Sequence, residues 1–191
     1  AAAFADAPVA RTRQAAIDGT LSIMVGATPQ TFSRIEPLLR HMASEVTHCG
    51  EAGAGQTVKI MNNMILFQTV VALAEGLSIA RANGVDGKVL FETLTKGSAD
   101  SFALRNHGMK AMLPGVFPER AFSTKYALKD LSYAIGMAEE SGVPALGADV
   151  AREVMERAIE LGHGEAYWPV LIKAIEDATG NKDRPLYSID E

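Results

Sequence analysis

From Val58 to Asn83 the sequence is apolar on nearly every side of a helix, interrupted early by Lys59, Asn62 and Asn63 and closed by Gly84. A helix of that kind has no polar face to offer water, so it belongs inside a bundle. The rest of the chain must then supply helices to cover it. Helical patterning follows over Asp86–Leu94, Ser101–Leu113, Phe122–Ser141, Ala145–Leu161 and Ala166–Ala178. Pro114, Pro118, the Gly142-Val143-Pro144 turn and the Gly162-His163-Gly164 turn separate these stretches. The polar residues 181–191 read as an exposed tail.

The first fifty residues have a different texture. Leu21, Ile23 and Val25 alternate with Ser22 and Met24 between two glycines, as a strand does. Residues 3–10 read as a short strand running into a loop at Pro8, and Glu45–Gly50 as a last short strand. Between them Thr28 is a candidate N-cap, with Pro29 at the first helical position. Phe32, Ile35, Leu38 and Leu39 carry helical spacing, which Pro37 is expected to bend or break. This is α/β texture with too few strands to close a sheet.

Composition narrows the function classes. A chain of 191 residues with 48% hydrophobic and 21% charged residues can bury a sizeable core. The net charge of −5 offers no basic footprint for nucleic acid. The oiliest run, Met64 to Ala74, falls short of the roughly 20 residues that cross a bilayer. Cys49 is the single cysteine and has no internal partner. The expectation is a cytoplasmic protein with neither membrane nor nucleic-acid partners. His41, His48, His107 and His163 lack metal-ligand spacing and are expected on the surface or in loops, so no metal site is expected. Tyr167 and Trp168 are expected in a core or an interface.

The helix entrance, Gly53-Ala-Gly-Gln-Thr-Val-Lys-Ile-Met-Asn-Asn63, is the most chemical part of the chain. Lys59, Asn62 and Asn63 stand at i, i+3 and i+4 and share one face. Open N–H groups of a first turn also favour an anion. These residues alone allow two readings: a polar cluster turned into a cleft, or a lysine reaching solvent beside asparagines that cap a neighbouring turn. The stretch lacks the Gly-Lys-Ser/Thr ending of a P-loop.

That segment resembles the catalytic signature of the β-hydroxyacid dehydrogenases, the family of 3-hydroxyisobutyrate dehydrogenase and tartronate semialdehyde reductase. Asp6-Ala-Pro-Val9 and the strand to Ala27 are similar to its substrate loop and the last strands of its nucleotide domain. Phe122 to Ala134 is similar to its Phe-to-Lys-Asp segment. The resemblance implies an α/β remnant of a Rossmann domain followed by an all-α C-terminal domain built on the long buried helix. Residues 1–52 would be the end of the dinucleotide-binding domain and 53–180 a helical substrate and dimerisation domain. The family's opening G-x-G-x-x-G turn is not in this sequence. The resemblance further implies NAD or NADP as cofactor, a small anionic hydroxy acid or aldehyde as substrate, and a homodimer or homotetramer. Lys59 would be the general acid or base, with Asn63 and Asn62 orienting substrate, and the family does not rank the two amides. Lys129 would reach the cofactor, with Asp130 and Phe122 lining or bracing the site. Taken alone, Lys129 and Asp130 read as a solvated helix face.

One departure stands out. Where the family carries Ser-Gly-Gly after Asp-x-Pro-Val, this chain has Ala10, Arg11 and Thr12. A guanidinium can grip an oxyanion in bidentate fashion. The Arg-Thr pair is similar to the branch containing sulfolactaldehyde reductase, so a sulfonate joins the expected substrate anions. Among rivals, 6-phosphogluconate dehydrogenases carry His-Asn in place of Asn62-Asn63, and imine reductases generally lack the lysine. A non-catalytic helical oligomerisation module of the same fold is the alternative from another class, and the joint presence of Lys59, Asn63 and Lys129 speaks against it.

Overall fold

The computed structural model describes residues 2–11 and 13–180. The expected tail over 181–191 lies outside them. The chain divides into two compact units, residues 1–63 and 64–191.

The first unit holds a three-stranded sheet in the order β1-β2-β3. Strand β2 (Leu21–Gly26) is the centre, pairing antiparallel with β1 (Val9–Ala10) and parallel with β3 (Ala43–Gly50). The expected strand over residues 3–10 forms only in its last two positions. Upstream the backbone still follows β2, through Asp6 N–H to Gly26 O, Gly26 N–H to Asp6 O, and Met24 N–H to Pro8 O. Pro8 has no N–H to continue that ladder. Helix α1 (Arg13–Ile17) links β1 to β2, and α2 (Pro29–Leu39) links β2 to β3. Thr28 caps α2 as expected, its Oγ1 accepting the Thr31 N–H at 3.3 Å. Pro37 does not end α2. It sits in the last turn, where the helix forgoes one backbone bond. Ile23, Val25, Ala27 and Ala43 form the core, flanked by Phe32, Ile35 and Leu39.

Helix α3 (Ala54–Ala82) has 29 residues and starts four positions before the expected Val58. Gly84, at φ 76°, takes the left-handed turn that stops it. By length and composition alone α3 would pass for a membrane crossing. Yet Phe67, Val70, Val71, Leu73, Ala74 and Leu77 are the spine of the second unit's core. The helix is not buried all round: Val58, Ile65 and Ile79 are turned outward and exposed.

Around that spine pack α4 (Gly87–Leu94), α5 (Thr124–Ser141), α6 (Leu146–Ala158) and α7 (Ile172–Gly180). Asp86 caps α4 by accepting the Lys88 and Val89 N–H groups, and Gly142 closes α5 at φ 68°. One expectation is refined here and one is corrected. Ser101–Leu113 is mostly a π-helix, Leu104–Met112. Ala166–Ala178 is not one helix. Its first residues pair with the start of α5 (Thr124 N–H to Ala166 O, Trp168 N–H to Phe122 O) before a 3-10 turn at Trp168–Leu171 leads into α7.

His107 is also corrected: it lies in the core, 6% exposed, on the π-helix. Its Nδ1 and the Tyr167 hydroxyl are 2.8 Å apart, and its Nε2 is buried without a hydrogen-bond partner among the described residues. Burial, and secondarily the Lys110 charge, pushes its pKa down to about 4. Trp168 is buried against Phe67, as expected of a core residue.

Candidate active site

Lys59 stands in the second turn of α3 and is half-buried, as is Asn63, while Asn62 is exposed. Asn62 Nδ2 donates to Asn63 Oδ1 at 3.2 Å, so the two amides form one linked pair beside the lysine. Their common face follows from the i, i+3, i+4 spacing on a regular helix.

What fixes this turn was not visible in the sequence. The N–H groups of the helix start, expected to attract a ligand anion, already hold one from the chain itself. Asp6 Oδ1 accepts the Gly53 N–H at 2.6 Å, and Oδ2 accepts the Gln56 N–H at 2.7 Å. A carboxylate there satisfies orphan donors and complements the helix dipole. Asp6 is itself anchored by its paired backbone bonds to Gly26. Two glycines make the room. A Cβ on Gly55 would lie 2.5 Å from Met24 O and 2.7 Å from Asp6 Oδ2, and one on Gly26 would run into Asp6 Oδ1 and lie 2.8 Å from Glu51 O.

At the expected substrate loop, Ala10 is half-buried and paired with Ser22, and Thr12 lies outside the described residues. Arg11 has φ 84°, a left-handed conformation that favours glycine. A glycine would take that shape without strain, and here it carries a guanidinium. The guanidinium is engaged within the unit: Nη1 donates to Thr20 O at 3.0 Å and to Ser44 Oγ at 3.2 Å. It ties the end of β1 to the start of β2 and β3.

The remaining candidates lie in the second unit. Lys129 Nζ sits 3.9 Å from the centre of the Tyr126 ring, 5.4 Å from that of Tyr133, and 3.4 Å from Asp130 Oδ1. Asp130 is buried, while Lys129 keeps 44% of its side chain exposed. Desolvation works against the ammonium, but the Tyr126 and Asp130 side chains outweigh it and raise the pKa above the usual lysine value. Phe122 stacks on Phe67 with centroids 6.2 Å apart and meets Tyr126 edge-on at 5.5 Å. It braces the tyrosine against the core. The structure therefore gathers the expected residues into three groups: Lys59, Asn62 and Asn63; Ala10 and Arg11; and Lys129, Asp130 and Phe122.

Residues 53–175 match the family model described as NAD-binding of NADP-dependent 3-hydroxyisobutyrate dehydrogenase. The chain belongs to the 3-hydroxyisobutyrate dehydrogenase family. Residues 1–50 match the NAD binding domain of 6-phosphogluconate dehydrogenase. The chain is 33% identical to the 2-(hydroxymethyl)glutarate dehydrogenase of Eubacterium barkeri, over 93% of this chain and 58% of that protein. It is 37% identical to the 3-hydroxyisobutyrate dehydrogenase of Pseudomonas aeruginosa, over 70% of this chain and 47% of that one. Its structure resembles that of the 3-hydroxyisobutyrate dehydrogenase of Salmonella typhimurium with a TM-score of 0.81 at 26% identity, covering 90% of this chain and 60% of the other. The chain thus spans about three-fifths of the first curated relatives it matches. The family, the Rossmann-type remnant and the helical C-terminal domain stand as expected.

Three residues escaped the sequence reading. In sequence Asp6 belongs to the loop motif, and in the structure it also caps α3. Tyr126 and Tyr133 flank Lys129 at i−3 and i+4, a spacing that could have signalled them.

Proposed function

We propose that this chain acts, in its full-length protein, as an NAD(P)-dependent dehydrogenase interconverting a short β-hydroxy acid and its semialdehyde. The observation that carries the reading is Lys59 with its linked amides, held at a helix start that Asp6 braces. The cofactor would supply or accept the hydride at the substrate carbon. Lys59 gives a proton to the carbonyl oxygen in reduction and takes it from the hydroxyl in oxidation, and its charge favours the alkoxide-like oxygen between the two. Asn63 and Asn62 orient the substrate oxygen and the ammonium. The donor set at Lys129, an ammonium held against aromatic faces and still partly open to solvent, suits a group that carries phosphates. Lys129 binds that group, Asp130 fixes the lysine, and Phe122 supports Tyr126.

The loop at Ala10, Arg11 and Thr12 receives the acidic end of the substrate. We assign that end to a carboxylate rather than a sulfonate. Arg11 spends its guanidinium on Thr20 and Ser44, and the relatives above carry the names of carboxylic-acid dehydrogenases. The exposed apolar side of α3 supports a homo-oligomer.

The test compares catalytic efficiency for methylmalonate semialdehyde, tartronate semialdehyde and sulfolactaldehyde, each with NADH and NADPH. One of the two carboxylate aldehydes should be the best substrate. A preference for sulfolactaldehyde would return the anion site to a sulfonate. Turnover of none of the three with either cofactor would leave the non-catalytic oligomerisation module.

A further inference from the structure

Both tyrosines beside Lys129 are more than half exposed, Tyr126 at 55% and Tyr133 at 52%. Burial of apolar surface does not explain two large rings left in water on one helix face. Their placement relative to the lysine does. Tyr126, Lys129 and Tyr133 occupy i, i+3 and i+7 of α5, and the ammonium rests over the first ring and near the second.

The Tyr126 ring is itself fixed. Its backbone N–H is held by the Ser123 cap, and its edge meets Phe122, which stacks on core Phe67. Beneath the ammonium lies Asp130, 5% exposed and 3.4 Å away. A free lysine has four rotatable bonds and samples many positions, and each must be given up on binding an anion. Here the ring face and the carboxylate have already selected one.

We infer that Tyr126, assisted by Tyr133, is a positioning residue for Lys129, holding its ammonium by the ring face in the pose that takes the phosphate-bearing nicotinamide dinucleotide. This rests on the dehydrogenase reading proposed above. The ring face is the larger element, and the phenol hydroxyl, a hydrogen-bond partner of the ammonium, is the smaller one. Tyr126 acts through Lys129 and through no other group.

The test is fluorescence titration of the full-length protein with NADH and with NADPH, alongside turnover at saturating cofactor. The variants are Tyr126→Leu, Tyr126→Phe, Tyr133→Leu, Lys129→Ala and the Tyr126→Leu/Lys129→Ala double. Tyr126→Leu should weaken dinucleotide binding about two- to five-fold, the range of an exposed cation–π contact. Turnover at saturation should hold. Tyr126→Phe, which keeps the ring face, should lose less affinity than Tyr126→Leu, and Tyr133→Leu, at the more distant ring, should also cost less than Tyr126→Leu. On the Lys129→Ala background, Tyr126→Leu should change nothing further. An equal loss on both backgrounds, a Phe variant as weak as Leu, or a Leu variant with wild-type affinity each overturns the positioning role. Wild-type protein that binds neither dinucleotide overturns the dehydrogenase reading itself, and the proposal with it.

Discussion

The Asp6 carboxylate and the Gln56 amide are hydrogen-bonded at 2.7 Å across fifty positions of sequence, and the other Asp6 oxygen takes Gly53 at 2.6 Å. A residue of the sheet thereby sets where α3 begins, and Lys59 follows one turn later. Removing this cap should show directly in stability. Asp6→Ala is expected to cost about 1–2 kcal/mol in urea denaturation, as for other N-cap deletions. An unchanged midpoint would mean that water replaces the carboxylate at no cost.

Lys59 is expected to matter for turnover and not for cofactor affinity. In the full-length protein, Lys59→Ala should lower kcat by about 10²- to 10⁴-fold, the usual contribution of a placed proton-transfer group. Dinucleotide binding, followed by fluorescence, should stay the same. A change in kcat of only a few-fold would take the proton-transfer role from this residue.

Arg11 separates two physical effects that point in opposite directions. Its φ of 84° penalises any side chain, while its bonds to Thr20 and Ser44 reward this one. Arg11→Ala keeps the strain and loses the bonds, so it should destabilise by about 1 kcal/mol. Arg11→Gly loses the bonds but relieves the strain, and should fall close to wild type. Thermal melts ranking Ala below Gly would bear this out, and the reverse order would deny the strain.

His107 predicts a pH dependence. Its folded pKa is pushed down to about 4, while the unfolded chain titrates at the ordinary value of 6.5. Between these values the unfolded state binds the extra proton, so stability is complete above the unfolded value and is lost as pH falls toward 4. At about 1.4 kcal/mol per pH unit the total is roughly 3 kcal/mol. His107→Gln should flatten that part of the stability profile. A wild-type profile already flat from pH 7 to pH 4 would show that the ring takes up its proton without opening the core.

The outward face of α3 carries Val58, Ile65 and Ile79. Light scattering should find the full-length protein as a homo-oligomer, and Ile65→Glu should shift it toward smaller species by burying a charge in the interface. A wild-type monomer at micromolar concentration would remove the oligomer.

The sequence was informative where local pattern and tertiary demand agree. The apolar surround of α3, the Thr28 cap and the Gly142 stop all act within a few residues of themselves. The π-helix was hidden because Leu104, Gly108 and Met112 fit ordinary helical spacing equally well. His107 went inward because Tyr167, sixty positions away, meets its ring nitrogen. The expected helix from Ala166 failed for a similar reason: Gly164, Ala166 and Trp168 spend their backbone groups on Lys125, Thr124 and Phe122. At the site, the Lys59 spacing could be read directly. The Asp6 cap could not, because nothing local to Asp6 announces a helix that starts so far along the chain.

Asp6, Gly26 and Gly55 also restrict how this region can drift. Any side chain at Gly55 meets both the Asp6 carboxylate and the Met24 carbonyl, and any at Gly26 meets backbone as well as Asp6. Replacing Asp6 first frees part of that space but leaves a helix start without its cap. Each single substitution thus passes through a less stable intermediate, whichever comes first. The three positions are coupled, and because the Met24 and Glu51 carbonyls would still face a new Cβ once Asp6 had changed, the two glycines are the last of the three that a descendant chain could give up.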